Sequence, residues 1–485
     1  MKPTYHTVSP LRPTSAARTI SLPAGWRVWL VERLLARLRR AHARRLALPR
    51  HLWRQGRLSL VGVALALSLS GMPAGAAPLA APQGEIVVTT SNVTPTDDAE
   101  CGLVEAIIAA NTDLAYFGCA AGSGADTIVL SGNTYSFTAP YGGGHNALPF
   151  VTTDITIDGN GSTIERTGGP NFRLIRVSGP AGDLTLNDST LSGGAAADGG
   201  AMYVHDGANI TLNNSTLSNN LAANYGGGLY ANNGASAVLH NSTISGNDGE
   251  YGGGITALDG SYIALNESSV SGNTITAAGG GVALLGGSTL LLNDSSISGN
   301  SAIYNGGGVF SNFGSTVTLN NSDISTNTTN YGGGGIALFH EGATLTINNS
   351  TVSNNSGTYA AGLFIAFNVT VTIESSTISD NTSSTGNAGG MTAANESTVT
   401  VNNSTISGNS TAGGNGGGLR IRESSLEMTN STLTGNSAGG NGGGLYAHNQ
   451  SSVTITQSIV SGNRATGDGN EIFDADGTAT SLGYN

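Results

Sequence analysis

The sequence predicts an all-β solenoid, in which one short unit of parallel strands is stacked on itself. A motif of the form Ser-Thr-Ile-Ser-Gly-Asn recurs every 26 to 28 residues, a period typical of such stacks. Its third residue is always aliphatic and its sixth is always asparagine, as columns of equivalent side chains require. The motif starts at Ser215, Ser242, Ser268, Ser295, Ser322, Ser350, Ser376, Ser404, Ser431 and Ser458, with a looser copy at Ser189.

Each unit contains three short strand patterns. In the unit from Gly226 to Asn247, Leu229 and Ala231 alternate with polar or aromatic neighbours, and segments around Val238 and Ile244 follow. Alternation of this kind is typical of strands. Three strands joined at Gly and Asn bends predict a triangular coil, and ten to eleven coils at the inter-strand spacing make a rod ~50 Å long.

The asparagine at the sixth motif position predicts a ladder. Stacked amide side chains hydrogen-bond to equivalent amides above and below, and asparagine tolerates the left-handed backbone of a tight turn. The column consists of Asn220, Asn247, Asn273, Asn300, Asn327, Asn355, Asn381, Asn409, Asn436 and Asn463.

Residues 1–77 have the order of a secretory signal peptide. Thirteen of the 19 Lys and Arg residues precede Leu58, the apolar run Leu58 to Leu69 follows, and Ala74-Gly-Ala-Ala77 resembles a cleavage site. We therefore expect export, with a long basic leader region or a start codon placed too far upstream. The alternative is that Trp26 to Leu48 forms a basic amphipathic helix that touches membranes.

The charge balance changes sign after residue 77. Six arginines, no lysine and 30 acidic residues remain, which gives a formal charge of −24. Nucleic acid is excluded as a partner because phosphate contacts need Lys and Arg. An acidic surface exposed to the external medium fits this charge balance. We expect a monomer whose mature chain contains no transmembrane helix.

A non-repeating segment, residues 78–140, precedes the coils of residues 141–466. Short strands at Glu85–Thr90, Asp126–Leu130 and Thr134–Phe137 flank a helix from Glu100 to Asn111, which Asp97 and Asp98 can cap. The only two cysteines, Cys101 and Cys119, predict one disulfide in an exported chain. We expect this segment to cover the N-terminal end of the solenoid.

The segment Glu100-Cys-Gly-Leu-Val-Glu-Ala-Ile-Ile-Ala-Ala-Asn111, with Gly118-Cys119 and Gly122 to Leu130, resembles the CSLREA domain of secreted bacterial proteins. The resemblance covers about residues 85–135. Gly102 and Val104 replace the usual Ser and Arg. The resemblance implies that right-handed parallel β-helix repeats follow, a hand that the crossover rule also favours.

The repeats themselves resemble those of polymorphic outer-membrane proteins, with Gly-Gly-Gly-[Ile/Leu/Val] and [Ile/Leu/Val]-x-x-Asn in place of the Gly-Gly-Ala and Phe-x-x-Asn patterns. Those relatives are surface adhesins with a C-terminal membrane barrel. The acidic segment 467–485 contains no barrel pattern, so we expect the product to be truncated or to lack its anchor.

Catalysis is the first of three functional hypotheses for individual residues. Pectate lyases and polysaccharide hydrolases use parallel β-helices, and their sites need clustered carboxylates and a base. The catalytic candidates are Arg420, Arg422 and Glu423, and the alternative is a solvated charge cluster.

The acidic C-terminal segment offers a second hypothesis, a Ca²⁺ site. Carboxylates are suitable Ca²⁺ ligands, but the run lacks the spacing of a Ca²⁺ hand, and an acidic surface loop is the alternative. The weak candidates are Asp468, Glu471, Asp474 and Asp476. No other cofactor is expected.

The third hypothesis is a ligand-binding stripe. The first two outward positions after the Gly runs hold several of the few aromatic residues, and an exposed aromatic stripe suits a sugar or a protein partner. The alternative is stacking that stabilises the solenoid. The stripe consists of Tyr203, Tyr230, Phe310, Phe339, Phe364 and Tyr446.

These observations favour a non-enzymatic exported or cell-surface protein that binds an extracellular glycan or a cell-surface protein. A polysaccharide lyase or hydrolase of pectate-lyase type and a structural spacer are the alternatives.

Overall fold

The computed structural model describes residues 84–476 and 478–482. The predicted signal peptide, residues 1–77, lies outside these residues. Among the described residues, no helix has the length and apolar character needed to cross a membrane.

Three sheets of parallel strands run along the described part of the chain. The twelve-strand sheet comprises Ile175–Ser178, Met202–His205, Leu229–Asn232, Ile255–Leu258, Val282–Leu284, Val309–Asn312, Ile336–Phe339, Leu363–Ala366, Met391–Ala394, Leu419–Arg422, Leu445–His448 and Ile472–Asp474. The eleven-strand sheet comprises Ala195–Asp198, Leu221–Tyr225, Asp248–Tyr251, Thr274–Ala278, Ser301–Ala302, Thr328–Thr329, Ser356–Gly357, Thr382–Ser383, Ser410–Thr411, Ser437–Ala438 and Arg464–Ala465.

The third sheet, which we call the bent sheet, has 26 strands among the described residues and contributes two strands to each regular coil. It comprises Gly84–Val87, Asp126–Val129, Thr134–Phe137, Asp154–Arg166, Asp183–Ser192, Asn209–Asn213, Thr216–Ser218, Ser236–His240, Thr243–Ser245, Tyr262–Asn266, Ser269–Ser271, Thr289–Asn293, Ser296–Ser298, Thr316–Asn320, Asp323–Ser325, Thr344–Asn348, Thr351–Ser353, Thr370–Glu374, Thr377–Ser379, Thr398–Asn402, Thr405–Ser407, Ser425–Thr429, Thr432–Thr434, Ser452–Thr456, Ile459–Ser461 and Thr478–Leu482.

The predicted all-β parallel solenoid is confirmed, and it has about 13 turns. The count exceeds the ten to eleven coils expected from the motif, because strands before the first motif pair with the coils in the same parallel sheet. A coil passes from the twelve-strand sheet through two strands of the bent sheet to the eleven-strand sheet. The inward aliphatic side chains form one continuous buried core along the rod.

The predicted asparagine ladder is confirmed. In each of nine links between coils, Nδ2 of one asparagine donates to Oδ1 of the next over 2.9–3.0 Å. The same Oδ1 also accepts the backbone N–H of the preceding asparagine, as Oδ1 of Asn300 accepts from Asn273 N. The second Nδ2 proton goes to a backbone carbonyl of the preceding coil, such as Val270 O for Asn300. Each interior amide is therefore fully bonded although it is buried.

The glycine runs are required by the ladder and by the corner beside it. Gly226 has φ +62°, and a Cβ there would lie 2.2 Å from Leu229 O. A Cβ on Gly228 would lie 3.2 Å from Nδ2 of Asn247 and 2.8 Å from Gly254 O. Larger residues would push the coils apart at the position where the amides bond.

The N-terminal end of the core is covered by the α-helix Leu103–Thr112. The helix begins later than expected, and its N-cap is Gly102 rather than an aspartate. Glu105 takes the capping role, because its carboxylate accepts backbone N–H groups from Gly102 and Thr96 at 2.8 and 2.7 Å. Cys101 and Cys119 form a disulfide beside this turn.

We expect Asn300→Ala to lower the free energy of unfolding by about 2–5 kcal/mol, because two buried donors of Asn273 lose their acceptor. The matched control is Asn293→Ala. Asn293 belongs to a second amide row with Asn266 and Asn320, but it is half-buried and water can replace its bonds. Urea denaturation compares the two, and equal losses would contradict the role of the buried ladder.

We expect Glu105→Ala to release the cap, because the buried backbone N–H of Gly102 and the backbone N–H of Thr96 lose their acceptor at once. Hydrogen exchange should become faster for the amides of Leu103–Thr112, while protection of the central coils stays unchanged. Glu100→Ala removes an exposed carboxylate just before the helix and serves as the control. Unaltered exchange in the Glu105 variant would contradict the capping role.

Candidate functional site

The six predicted stripe aromatics lie on the outer surface of the twelve-strand sheet, in the expected register. Tyr203 pairs with Tyr230, and Arg420 pairs with Tyr446 in the same column. The expectation that these aromatics are exposed is wrong. Tyr230 and Phe310 are buried, with 4% and 8% of their surface exposed, and the other four are half-buried.

The corner between the eleven-strand and twelve-strand sheets explains this burial. Residues at the end of the eleven-strand sheet fold over the outward face, so that Phe310 packs with Ala278 and lies in a cluster with Tyr251. Tyr225 covers Tyr230 in the same way, with ring centroids 5.5 Å apart. The outward face therefore carries a second, smaller apolar cluster.

The stripe is also divided along the rod. Tyr203 stacks on Tyr230 at 4.9 Å near the N-terminal end. Phe339 contacts Phe310 and Phe364 at 5.9 and 5.2 Å in the middle. Tyr446 stacks on Phe473 at 5.6 Å near the C-terminal end. Coils with Thr or Ala in the column separate these groups, so one continuous binding stripe does not exist.

Exposed aromatic residues flank the middle group on one side. Tyr304, Tyr331 and Tyr359 lie on consecutive coils at the corner before the twelve-strand sheet, and each is 40–44% exposed. Backbone hydrogen bonds link Gly332 to Tyr304 and Tyr359 to Tyr331. The rings of Tyr331 and Tyr359 are 4.6 Å apart. These three tyrosines form one rim of the middle group.

The other rim lies in the turn after the twelve-strand sheet. There the first turn residue has a left-handed backbone in every regular coil, and Asn, Asp or Gly usually fills it, as at Asn233 and Asp259. Three consecutive coils instead carry Phe313, His340 and Phe367, with φ of +52°, +73° and +70°. Bulky residues are strained there by about 1–3 kcal/mol each, and such strain is typical of functional positions.

The three turn side chains form an ordered stack. Phe313 and His340 are 4.6 Å apart with planes inclined by 6°, and His340 and Phe367 are 5.4 Å apart with planes inclined by 12°. Together with the middle group and the tyrosine rim they form a surface of three coils, roughly 10 Å along the rod and 13 Å across at strand spacing. We call this surface the aromatic patch: Tyr304, Phe310, Phe313, Tyr331, Phe339, His340, Tyr359, Phe364 and Phe367.

A groove of about 760 Å³ continues from the edge of the patch along the same turn. Its charged side chains include Glu341, Glu396 and Glu423, and amide side chains lie between them. Oδ1 of Asn395 is buried and accepts no hydrogen bond from the described residues. The groove therefore offers acceptors for hydroxyl groups beside flat apolar rings.

The catalytic candidates lie on one coil, and one of them reaches this groove. Nη2 of Arg422 is 3.1 Å from Oε1 of Glu423, which also accepts from Nδ2 of Asn449. Arg420 is half-buried, and burial together with the neighbouring Arg422 lowers its pKa to about 10. Of the three candidates, only Glu423 is a groove residue.

The four acidic candidates for a Ca²⁺ site are not brought together. Among the described residues, no group of three His, Cys, Asp or Glu side chains is placed to hold a metal ion. Glu471 accepts from Nδ2 of Asn463 at 2.7 Å and ends the asparagine ladder. Asp474 accepts from Ala479 N at 3.0 Å, and Asp476 accepts from Asn449 N at 2.5 Å. Asp468 N is bonded to Oδ1 of Asn441.

Sequence reasoning missed the two rims of the aromatic patch. The signal for the turn rim is present in the repeats, because the left-handed turn position after the twelve-strand sheet holds Asn, Asp or Gly in most coils. Phe313, His340 and Phe367 are exceptions on successive coils, and Glu423 is a further exception. The tyrosine rim has a weaker signal, since the coils differ in length at that corner.

A family model described as "Right handed beta helix region" matches residues 152–325, 224–375, 262–426 and 358–481, and these stretches together span more than half of the chain. The match begins after the segment that resembles the CSLREA domain, so that resemblance stays a prediction. No curated protein matches the sequence.

Two solved structures are similar to this chain. The A-module of the mannuronan C-5 epimerase AlgE6 of Azotobacter vinelandii is 12% identical with a TM-score of 0.41, over 75% of this chain and 91% of that one. PfbA, a surface adhesin of Streptococcus pneumoniae, is 11% identical with a TM-score of 0.35, over 77% of this chain and 88% of that one. At this identity the similarity concerns the fold alone.

We expect Phe367→Asn, which restores the usual turn residue, to leave the free energy of unfolding within about 1 kcal/mol of the parent, because relief of the left-handed strain offsets the lost stacking. Phe310→Ala, which empties a buried site on the neighbouring sheet, should cost about 3–5 kcal/mol. Chemical denaturation measures both, and a loss for Phe367→Asn as large as that for Phe310→Ala would show that the ring is a core element.

Proposed function

The chain belongs to the right-handed β-helix family, and we propose that it uses this scaffold outside the cell to bind a neutral glycan without catalysis. The observation that carries the proposal is the stack of Phe313, His340 and Phe367 in left-handed turn positions. These side chains are costly where they stand, and the usual turn residues of the repeat would serve the fold equally well.

The aromatic patch supports a sugar because ring faces and amide groups occur side by side. Pyranose rings present apolar C–H faces and polar edges, and exposed aromatic surfaces rimmed by polar groups are typical of binding sites. Phe367 has 47% of its surface exposed, and Asn368 and Asn395 continue the groove from its edge.

The charge of the groove favours a neutral glycan over an acidic one. Glu341 and Glu396 are exposed along it, and among the described residues Glu423 alone of its three carboxylates forms a salt bridge with an arginine. An acidic polysaccharide would place its own carboxylates against these groups, on a chain with a formal charge of −24 after residue 77. This repulsion argues against a lyase of pectate-lyase type at this site.

The proposed location outside the cell rests on the signal-like residues 1–77 and on the disulfide between Cys101 and Cys119. An adhesive role at the cell surface follows if the glycan belongs to another cell or to a matrix. A protein partner and a purely structural spacer remain as alternatives that the binding experiment separates.

We expect the purified exported chain to bind neutral oligosaccharides on a glycan array, and the double variant Phe313→Asn/Phe367→Asn to lose at least about tenfold in affinity, because two stacking faces are removed. The matched control is Tyr262→Thr. Tyr262 is also an exposed aromatic, 37% exposed, and Thr is the residue paired with it on the next coil, Thr289. This control should bind as the parent does.

The same preparations separate the alternatives. Release of unsaturated uronides from acidic polysaccharides would establish the lyase instead. Equal binding by the double variant and the parent would place the glycan elsewhere. Absence of any glycan binding by the folded parent would overturn the proposal in favour of a protein partner or a spacer.

A further inference from the structure

A second cavity lies at the N-terminal end of the rod, away from the coils of the aromatic patch. It has a volume of about 720 Å³ and is bounded by residues 141–150, residues 171–176 and three alanines of the eleven-strand sheet and its connections. Its walls are mainly apolar, with Leu148, Phe150 and Phe172 prominent among them. Two arginines, Arg173 and Arg176, supply the charge.

This cavity concentrates the rare positive charge of the chain. Arg173 and Arg176, which line it, are two of only six arginines after residue 77, where no lysine occurs. Among the described residues, neither Arg173 nor Arg176 forms a salt bridge with a carboxylate. Because the residues after 77 carry a formal charge of −24, guanidinium groups without a direct carboxylate partner in an apolar cavity point to an anionic ligand.

The two arginines differ in what they can offer such a ligand. Arg173 is buried, and its guanidinium is used by the protein: Nε donates to Gly199 O, Nη1 to Oδ1 of Asn146, and Nη2 to Asp198 O at 2.6 Å. Burial and the neighbouring Arg176 lower its pKa to about 10. Arg173 therefore contributes positive charge to the cavity and stabilises its wall through these hydrogen bonds.

The guanidinium of Arg176 is held in position through its Nε alone. Its Nε donates to Nε2 of His205 at 2.9 Å, and Nδ1 of His205 lies 2.7 Å from Oδ2 of Asp206, which fixes the tautomer of the imidazole. Nη1 and Nη2 of Arg176 donate to none of the described residues. These two nitrogens form the edge of the guanidinium that binds a carboxylate with two parallel hydrogen bonds.

Two aromatic rings accompany the guanidinium of Arg176. Its Cζ lies 4.5 Å from the ring centroid of Phe150 and 5.5 Å from that of Tyr203. Phe150 is itself held by the cap, because Nδ2 of Asn111 donates to Phe150 O at 2.8 Å and its Oδ1 accepts from Thr152 N at 3.0 Å. The guanidinium edge of Arg176 is therefore positioned by His205, and the apolar wall at Phe150 is positioned by Asn111.

We propose that this cavity binds a small organic monocarboxylate with an apolar or planar ring body. The carboxylate accepts two hydrogen bonds from Nη1 and Nη2 of Arg176, and the body of the ligand lies against Phe150 and Phe172. One unused guanidinium edge matches the two oxygens of a carboxylate, and the apolar walls favour an organic body over a small inorganic anion. The inference is independent of glycan binding at the aromatic patch.

The test is isothermal titration of benzoate into the purified exported chain. We expect the parent to bind benzoate at least about tenfold more tightly than benzamide, which has the same ring without the charge. Arg176→Gln should weaken benzoate by at least about tenfold. The matched control is Arg420→Gln, since Arg420 pairs with Tyr446 at the other end of the rod as Arg176 pairs with Tyr203. This control should leave benzoate binding unchanged.

A second variant keeps the test decisive if Arg176→Gln does not fold. Phe150→Ala removes a ring that is 43% exposed and should weaken benzoate severalfold without changing the thermal midpoint. Inorganic phosphate should compete poorly with benzoate. No benzoate binding by the parent, equal binding by Arg176→Gln, equal binding of benzamide, or binding of phosphate as tight as that of benzoate would each overturn the proposal. Glycan binding should survive Arg176→Gln, so the two sites fail independently.

Discussion

The buried column of asparagine side chains ties each coil to the next, and much of the regular structure depends on it. A buried amide is stable only when its hydrogen bonds are made, and here every interior amide bonds both to the next amide and to the preceding coil. The parallel strands place the coils at a spacing at which this requirement is met. The same requirement also explains the glycine runs, since Gly228 and its equivalents pass so close to the amides that a side chain would displace them.

Features that repeat with the coil could be predicted from the sequence. Burial selects aliphatic residues such as Ile244 and the amide of Asn247 at every turn, so the solenoid, its ladder and three of the four strands of each coil are visible in one alignment of the repeats. The short strand of the eleven-strand sheet was not predicted. Exposure on the outer face could not be predicted in this way. Exposure there depends on how the corner after Tyr251 folds over the neighbouring strand. The fold of that corner is set by the left-handed backbone of its glycines and not by the polarity of the outward side chains.

The candidate site was missed for a related physical reason. Phe313, His340 and Phe367 oppose the local preference of their backbone, so propensity gives no reason to consider them together. They become visible only as departures from a column of Asn, Asp and Gly. The arginine cavity gave even less signal, because Arg176, His205 and Phe150 come from segments that lie before the regular motif and meet only after the cap has positioned the loop around Phe150.

The amide-to-amide bonds of the asparagine ladder all point the same way, so the ladder has an electrical direction along the rod. Each side-chain amide donates toward the next coil, and the aligned amides leave a negative carbonyl end near Gly194 and a positive N–H end at Asn463. The carboxylate of Glu471 occupies the positive end in the place where another asparagine oxygen would stand. Aligned hydrogen bonds polarise one another. A coil at one end of the ladder therefore cannot replace a coil at the other end, because the two ends differ in polarity. Any coil added beyond Asn463 must present an acceptor at this position, and a coil placed before Gly194 must present a donor.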